Sequence, residues 1–184
     1  MTEKKGFRTR DLVLIAIFAA MMAVCAWISV PVLAVPFTLQ SFGVFMALLC
    51  LGGKRGTAAI CVYVLLGAVG TPVFSGFNGG IGAIMGATGG YIIGFIPLVI
   101  LTGIFAERNK KIMPVGMVLG TIACYIFGTA WFMISTGSAL GPALMSCVVP
   151  FLIGDAIKIA AATALCIPLK SRVDKILAYQ RKKQ

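Results

Sequence analysis

Residues 12–53, 56–106 and 112–154 of this chain contain no aspartate, glutamate, lysine or arginine, and a fourth uncharged run follows at 159–169. A 184-residue soluble domain with 60% apolar residues and a mean hydropathy of +1.03 would have too little polar surface left to cover it. The tracts therefore describe an integral membrane protein. A helix needs roughly 20 residues to cross a bilayer, so each of the first three tracts holds chain for about two crossings. The fourth completes a helix that begins near Pro150.

The charged residues between the tracts set the expected topology. Lys4, Lys5, Arg8 and Arg10 precede the first tract, Lys54 and Arg55 separate the first two, and Arg108, Lys110 and Lys111 separate the next two. The tail carries Lys170, Arg172, Lys175, Arg181, Lys182 and Lys183. Basic clusters stay in the cytoplasm, so an even number of crossings separates each from the next. The simplest solution is an all-α integral membrane protein with six transmembrane helices and both termini cytoplasmic. It forms a single transmembrane domain over 1–184, with short basic segments at 1–11 and 170–184. The net charge of +11 is then an orientation signal, and no nucleic-acid partner is expected because no basic patch is interleaved with exposed aromatics. Six dispersed cysteines without a Cys-x-x-Cys pair, and no histidine, give no metal site. The first apolar segment reads as a retained helix rather than a cleaved signal.

Within this frame, helix 1 is expected over Leu12–Val30, with Ala16, Ala19, Ala20 and Ala23 as two interlocking i, i+4 pairs. Small residues at that spacing admit close helix approach, either inside the chain or by another membrane subunit. Pro31–Gln40 must turn at the outer face; Pro36 breaks helix there, and Thr38 and Gln40 can supply hydrogen bonds to a cavity. Gly52–Gly56 is a cytoplasmic hairpin turn. After Pro72 an outer loop at Ser75–Gly80 contains Phe77 and Asn78, and Gly82, Gly86, Gly90 and Gly94 then form a four-residue ladder on helix 4. Such a bare stripe accepts a neighbouring helix or a flat ligand, the ligand being favoured at Phe77–Gly80. No Gly-Lys-Ser/Thr follows the glycines, so this chain has no Walker site. Helix 5, Met113–Ile134, carries Trp131 near its outer end, as an interfacial anchor or a stacking platform.

Helix 6, from Pro150 to Pro168, holds the two ionisable side chains set within apolar sequence, Asp155 and Lys158. A charge in hydrocarbon costs at least ~2.5 kcal/mol and normally faces a partner, a cavity or a ligand. The i, i+3 spacing puts both on one helix face, about 8 Å below the helix start at 1.5 Å per residue. They can neutralise each other or share a polar guest.

The ordered set Val35-Pro36-Phe37-Thr38-Leu39-Gln40, the hairpin glycines with Lys54-Arg55-Gly56, the Pro72–Gly94 glycine segment, Gly128-Thr129-Ala130-Trp131, and Pro150-Phe151 through Gly154-Asp155 to Lys158 resembles the BioY family over nearly the whole chain. These are biotin-specific S components of energy-coupling-factor (ECF) vitamin importers. The resemblance implies a multi-pass protein of a prokaryotic cell membrane that binds biotin from outside and is not an enzyme. It implies a transmembrane coupling (T) subunit and two cytoplasmic ATPases as partners, with ATP used by them and no cofactor in this chain. It assigns the alanine face of helix 1, Ala16, Ala19, Ala20 and Ala23, to the coupling subunit. Asp155 and Lys158 then meet the polar groups of biotin, with Thr38, Gln40, Asn78, Phe77, Tyr91 and Trp131 completing the site. A solitary ion-coupled carrier of small molecules and, less favoured, an intramembrane enzyme are the competing readings.

Overall fold

A computed structural model describes residues 8–31, 35–108 and 112–181, with 166–181 as helical backbone. Lys4, Lys5, Lys110, Lys111, Lys182 and Lys183 of the basic clusters lie outside the described residues. The chain runs α1 (Thr9–Trp27), β1 (Ser29–Val30), β2 (Phe37–Thr38), α2 (Gln40–Leu51), α3 (Gly53–Val69), α4 (Ile81–Met85), α5 (Gly89–Arg108), α6 (Met113–Thr136), α7 (Leu140–Cys147) and α8 (Val149–Arg181), with a 3-10 turn at Ser75–Phe77 before α4.

Among the described residues four segments are long and apolar enough to cross a bilayer: Thr9–Trp27, Gly89–Arg108, Met113–Thr136, and Leu140–Leu165 through α7 and α8. This is a multi-pass membrane protein. The remaining two expected crossings are shorter. α2 has 12 residues and α3 has 17, roughly 18 and 26 Å at 1.5 Å per residue. Pro36 and the β1–β2 ladder stop α2 at one end, and Gly52, at φ +82°, stops it at the other. The residues flanking the turn expected over Pro31–Gln40 pair as a short ladder: Ser29 pairs with Thr38, Val30 with Phe37, and Leu39 N–H reaches Ile28 O at 3.2 Å. α8 does not stop at Pro168 but continues as helix to Arg181.

The glycine ladder expected on one helix is split. α4 ends at Met85, Gly86 is extended (φ −68°, ψ 175°), and α5 starts at Gly89. At Gly89 the backbone folds back so closely on Ile84 that a Cβ would overlap the Ile84 carbonyl. Gly90 and Gly94 then face α6, where a Cβ would meet Trp131 and Cys124 respectively. α6 answers with its own glycines: Gly116 receives Phe105, Gly120 lies against Leu98 O and Thr102, and Gly128 receives the Tyr91 ring. Burial of apolar surface gives no driving force in lipid, so this interdigitation at close backbone approach is what holds the α5–α6 hairpin together.

α1 divides the alanine set. Ala19 and Ala23 are 3% and 5% exposed, packed with Met22, Phe45, Leu48 and Tyr63 in the main core. Ala16 and Ala20 are exposed, beside Leu12, Val13, Ile17 and Val24. The expectation that all four alanines form a partner groove fails for Ala19 and Ala23, because 100° per residue turns them into the chain's own core. At the start of α1, Asp11 is buried and accepts from Arg8 N–H (3.2 Å) while pairing with Arg55 Nε at 3.0 Å. Arg55 thus ties α1 to the α2–α3 turn, beyond the orientation role expected of its charge.

Gly90→Leu should force α5 from α6 and lower stability in detergent by about 1–3 kcal/mol or more, whereas Gly82→Ala, whose Cβ meets nothing within 4 Å, should leave the unfolding temperature unchanged. Thermal unfolding of the two purified variants is the check; equal loss in both would refute the seam.

Candidate functional site

At the end of the bundle opposite the Asp11–Arg55 pair, residues 35–41, the Phe74–Gly86 segment and the first turns of α8 enclose a cavity of about 580 Å³. That lies within the range of roughly 300–1,000 Å³ typical of small-molecule pockets. Its walls include Phe74, Ile92, Phe95, Leu98 and Phe151, and its polar groups include Thr38, Gln40, Ser41, Asn78, Tyr91, Tyr125, Asp155 and Lys158.

Asp155 and Lys158, 7% and 6% exposed, form an ion pair with Lys158 Nζ 2.8 Å from Asp155 Oδ1. Ser41 Oγ donates to the same oxygen at 3.1 Å and lies 3.2 Å from Lys158 Nζ. Tyr125 O–H donates to Asp155 Oδ2 at 2.5 Å. A carboxylate offers about four acceptor sites, and these three donors leave it one. The two alternatives weighed for the pair are therefore compatible: the charges neutralise each other and both face the cavity. Ser41 and Tyr125 were not legible as site residues, since a serine two residues inside α2 and a tyrosine in mid-α6 carry no spacing signal.

Lys158 has a further contact, its Nζ 4.1 Å from the centroid of the Phe37 ring, a cation–π geometry that offsets part of the burial cost of the ammonium. Phe37 reaches that position by bringing the edge of its ring against Gly154, where a Cβ would overlap it, and by stacking on Phe151 at 5.8 Å and 23°. The run Phe151–Gly154–Lys158 on α8 is thus a seat for the strand residue Phe37.

Gln40, 7% exposed, donates from Nε2 to Tyr63 O–H at 2.5 Å, and Thr38 Oγ1 lies 3.4 Å from Gln40 Oε1. Tyr91 spans two elements: its hydroxyl donates to Cys147 O at 3.2 Å, so Thr129 Oγ1, also at 3.2 Å, is the donor to it. Asn78 holds its own loop by donating to Ser75 O at 3.0 Å.

Of the residues singled out from sequence, the cavity brings together Thr38, Gln40, Asn78, Tyr91, Asp155 and Lys158. Two lie outside its wall. Phe77, 62% exposed and at φ 58°, points away and stacks on Trp27 at 5.0 Å, while Trp27 Nε1 donates to Pro72 O at 2.9 Å. Trp131 packs over Gly90 and donates to Gly86 O at 3.0 Å. The same carbonyl accepts the Gly89 N–H at 3.0 Å, so the indole is its second donor and ties α6 to the break before α5.

The family model described as the BioY family matches residues 1–175. The chain is 40% identical over 166 residues to the biotin transporter BioY of Thermotoga maritima, covering 88% of this chain and 96% of that protein. It is 39% identical over 160 residues to the probable biotin transporter BioY of Pyrococcus horikoshii, covering 87% and 94%. Among solved structures it resembles the S-component for biotin from an ECF-type ABC transporter, with a TM-score of 0.82, 27% identity, and coverage of 93% of this chain and 95% of that one.

The seat on α8 makes its own prediction. Gly154→Ala should lower stability by about 1–3 kcal/mol through overpacking, and the loss should vanish in a Phe37→Ala background, because the Phe37 ring is what the new methyl meets. A thermal-unfolding double-mutant cycle reads this directly; additive losses would refute it.

Proposed function

This chain belongs to the BioY family, and we propose that it captures biotin from outside the cell as the substrate-specific S component of an ECF importer, performing no chemistry on the vitamin. The observation that carries the reading is a cavity whose apolar and aromatic walls end in a buried, hydrogen-bonded carboxylate–ammonium pair. Biotin has matching parts. Its ureido ring presents two N–H donors and one carbonyl, its thiophane ring and valeryl chain are apolar, and its carboxylate seeks a donor. The free acceptor site on Asp155 suits a ureido N–H, and Lys158 can donate to a carbonyl or carboxylate oxygen. Thr38, Gln40, Asn78 and Tyr91 supply further polar contacts, and Ser41 and Tyr125 orient the Asp155 carboxylate.

In this reading the protein sits in a prokaryotic plasma membrane with both termini cytoplasmic and six crossings: α1, α2 with its preceding extended segment, α3, α5, α6 and α8. The basic clusters support that orientation. The exposed Ala16–Ala20 face of α1 is where a transmembrane coupling subunit packs, and two partner ATPases spend the ATP. The chain itself carries no cofactor.

Calorimetric titration of purified protein with biotin, followed by uptake with and without coupling and ATPase subunits, tests the assignment. No binding of biotin would end it, and ion-gradient-dependent uptake without partners would favour the solitary carrier.

Two variant series sharpen the test. Asp155→Asn combined with Lys158→Met removes the ion pair without leaving a lone buried charge. The double variant should fold yet bind biotin ten- to a hundredfold more weakly, the range for loss of a hydrogen bond of about 1.5–3 kcal/mol to a charged acceptor. Wild-type affinity there would make the pair purely structural. Ala16→Leu or Ala20→Leu should leave biotin affinity unchanged and abolish coupled uptake, since both side chains face away from the cavity; lost binding with intact assembly would refute the groove.

A further inference from the structure

We infer that Tyr63, which does not line the cavity, is a positioning residue that fixes which end of the Gln40 side-chain amide meets the ligand. A tyrosine hydroxyl has one proton to donate and can also accept. Tyr63 O–H lies 3.0 Å from the carbonyl oxygen of Val73, which can only accept, so the proton goes there. The hydroxyl must then accept from Gln40, which places the amide nitrogen, at 2.5 Å, toward Tyr63. Oε1 is thereby turned the other way, to the side of Thr38 Oγ1 at 3.4 Å. Thr38 lines the cavity and Tyr63 does not.

The opposite orientation of the amide is disfavoured by the same bookkeeping of protons. With Oε1 toward Tyr63, the hydroxyl would have to donate to Gln40, and the Val73 carbonyl would lose its side-chain donor. Tyr63 itself cannot move to compensate. It is fully buried, and its ring is held edge-on against Phe74 at 5.6 Å and 79°, with Phe74 seated over Gly67 where a Cβ would overlap the ring. A rigid hydroxyl outside the cavity thus sets the polarity of a flexible amide on its wall. The amide presents its acceptor beside Thr38, which selects a ligand bearing an N–H donor, such as a ureido group, over one bearing only acceptors.

Assigning the ureido group rests on the biotin reading; the amide orientation does not. The test is a double-mutant cycle with biotin, by calorimetry on detergent-purified Tyr63→Phe, Gln40→Leu and the double variant. Tyr63→Phe keeps the ring and should weaken biotin binding about two- to tenfold, the range for one neutral hydrogen bond. Added to Gln40→Leu it should change affinity by less than about twofold, since the amide it orients is gone. Wild-type affinity in Tyr63→Phe, or losses that add, would overturn the inference. Hydrogen exchange of the Gln40 side-chain amide in 15N-labelled wild-type protein gives a ligand-free readout that needs no variant at 63. Exchange markedly slower than at an exposed glutamine is expected, and exchange as fast as there would overturn the positioning role even if biotin binds. Wild-type protein that shows slow exchange but no biotin binding would remove the ligand assignment and leave the positioning role standing.

Discussion

The close approach of α5 and α6 is the constraint on which the rest of the bundle depends. In lipid an apolar side chain gains little by leaving the bilayer for another helix, so helices stay together where backbones come near enough for dense packing and shared hydrogen bonds. Gly90 and Gly94 on one side, and Gly116, Gly120 and Gly128 on the other, create that approach, and Thr102 reinforces it by donating to Gly116 O at 3.2 Å. The same seam places Tyr91, Cys124 and Tyr125 along one wall of the cavity. Packing and site geometry are therefore one arrangement: the Tyr91 ring that fills the space over Gly128 is the ring whose hydroxyl reaches Cys147.

A buried ion pair is a costly thing to hold in such a setting, and its partners show how the cost is offset. Lys158 spreads its charge over Asp155, Ser41 and the Phe37 ring, and Asp155 draws further donors from α2 and α6. Two other helices and a strand thus converge on two residues of α8. The glycine at 154 belongs to the same solution, because only a missing side chain lets Phe37 lie against the helix.

The helix break at Gly86 has a comparable logic. Glycines at 86, 89 and 90 weaken helix locally, and the Gly86 carbonyl at the break accepts both the Gly89 N–H of the next turn and the Trp131 indole N–H. This places Gly82 and Gly86 on the cavity wall while Gly90 and Gly94 pack on α6. The ladder that reads as one stripe in sequence serves two purposes because the chain changes direction in its middle.

Sequence by itself determined the solvent of this protein, its helical character, its family likeness and the helix that carries the paired charges. Those follow from uncharged tract length, the price of a charge in hydrocarbon, and the order of short motifs, all of which are local or additive along the chain. It also showed the residues that could bond, so Thr38, Gln40, Asn78, Tyr91, Asp155 and Lys158 were readable as cavity candidates. Only the tertiary structure decided which candidates face one space. Phe77 and Trp131 have the right chemistry but turn outward or across a glycine seam, and Ser41, Tyr125 and Tyr63 enter through contacts spanning 114, 30 and 23 positions. The alanines of α1 divide in the same way, Ala19 and Ala23 inward and Ala16 and Ala20 outward. Residue spacing gives the face of a helix, but not which face its neighbours cover, since that depends on where distant parts of the chain pack against it.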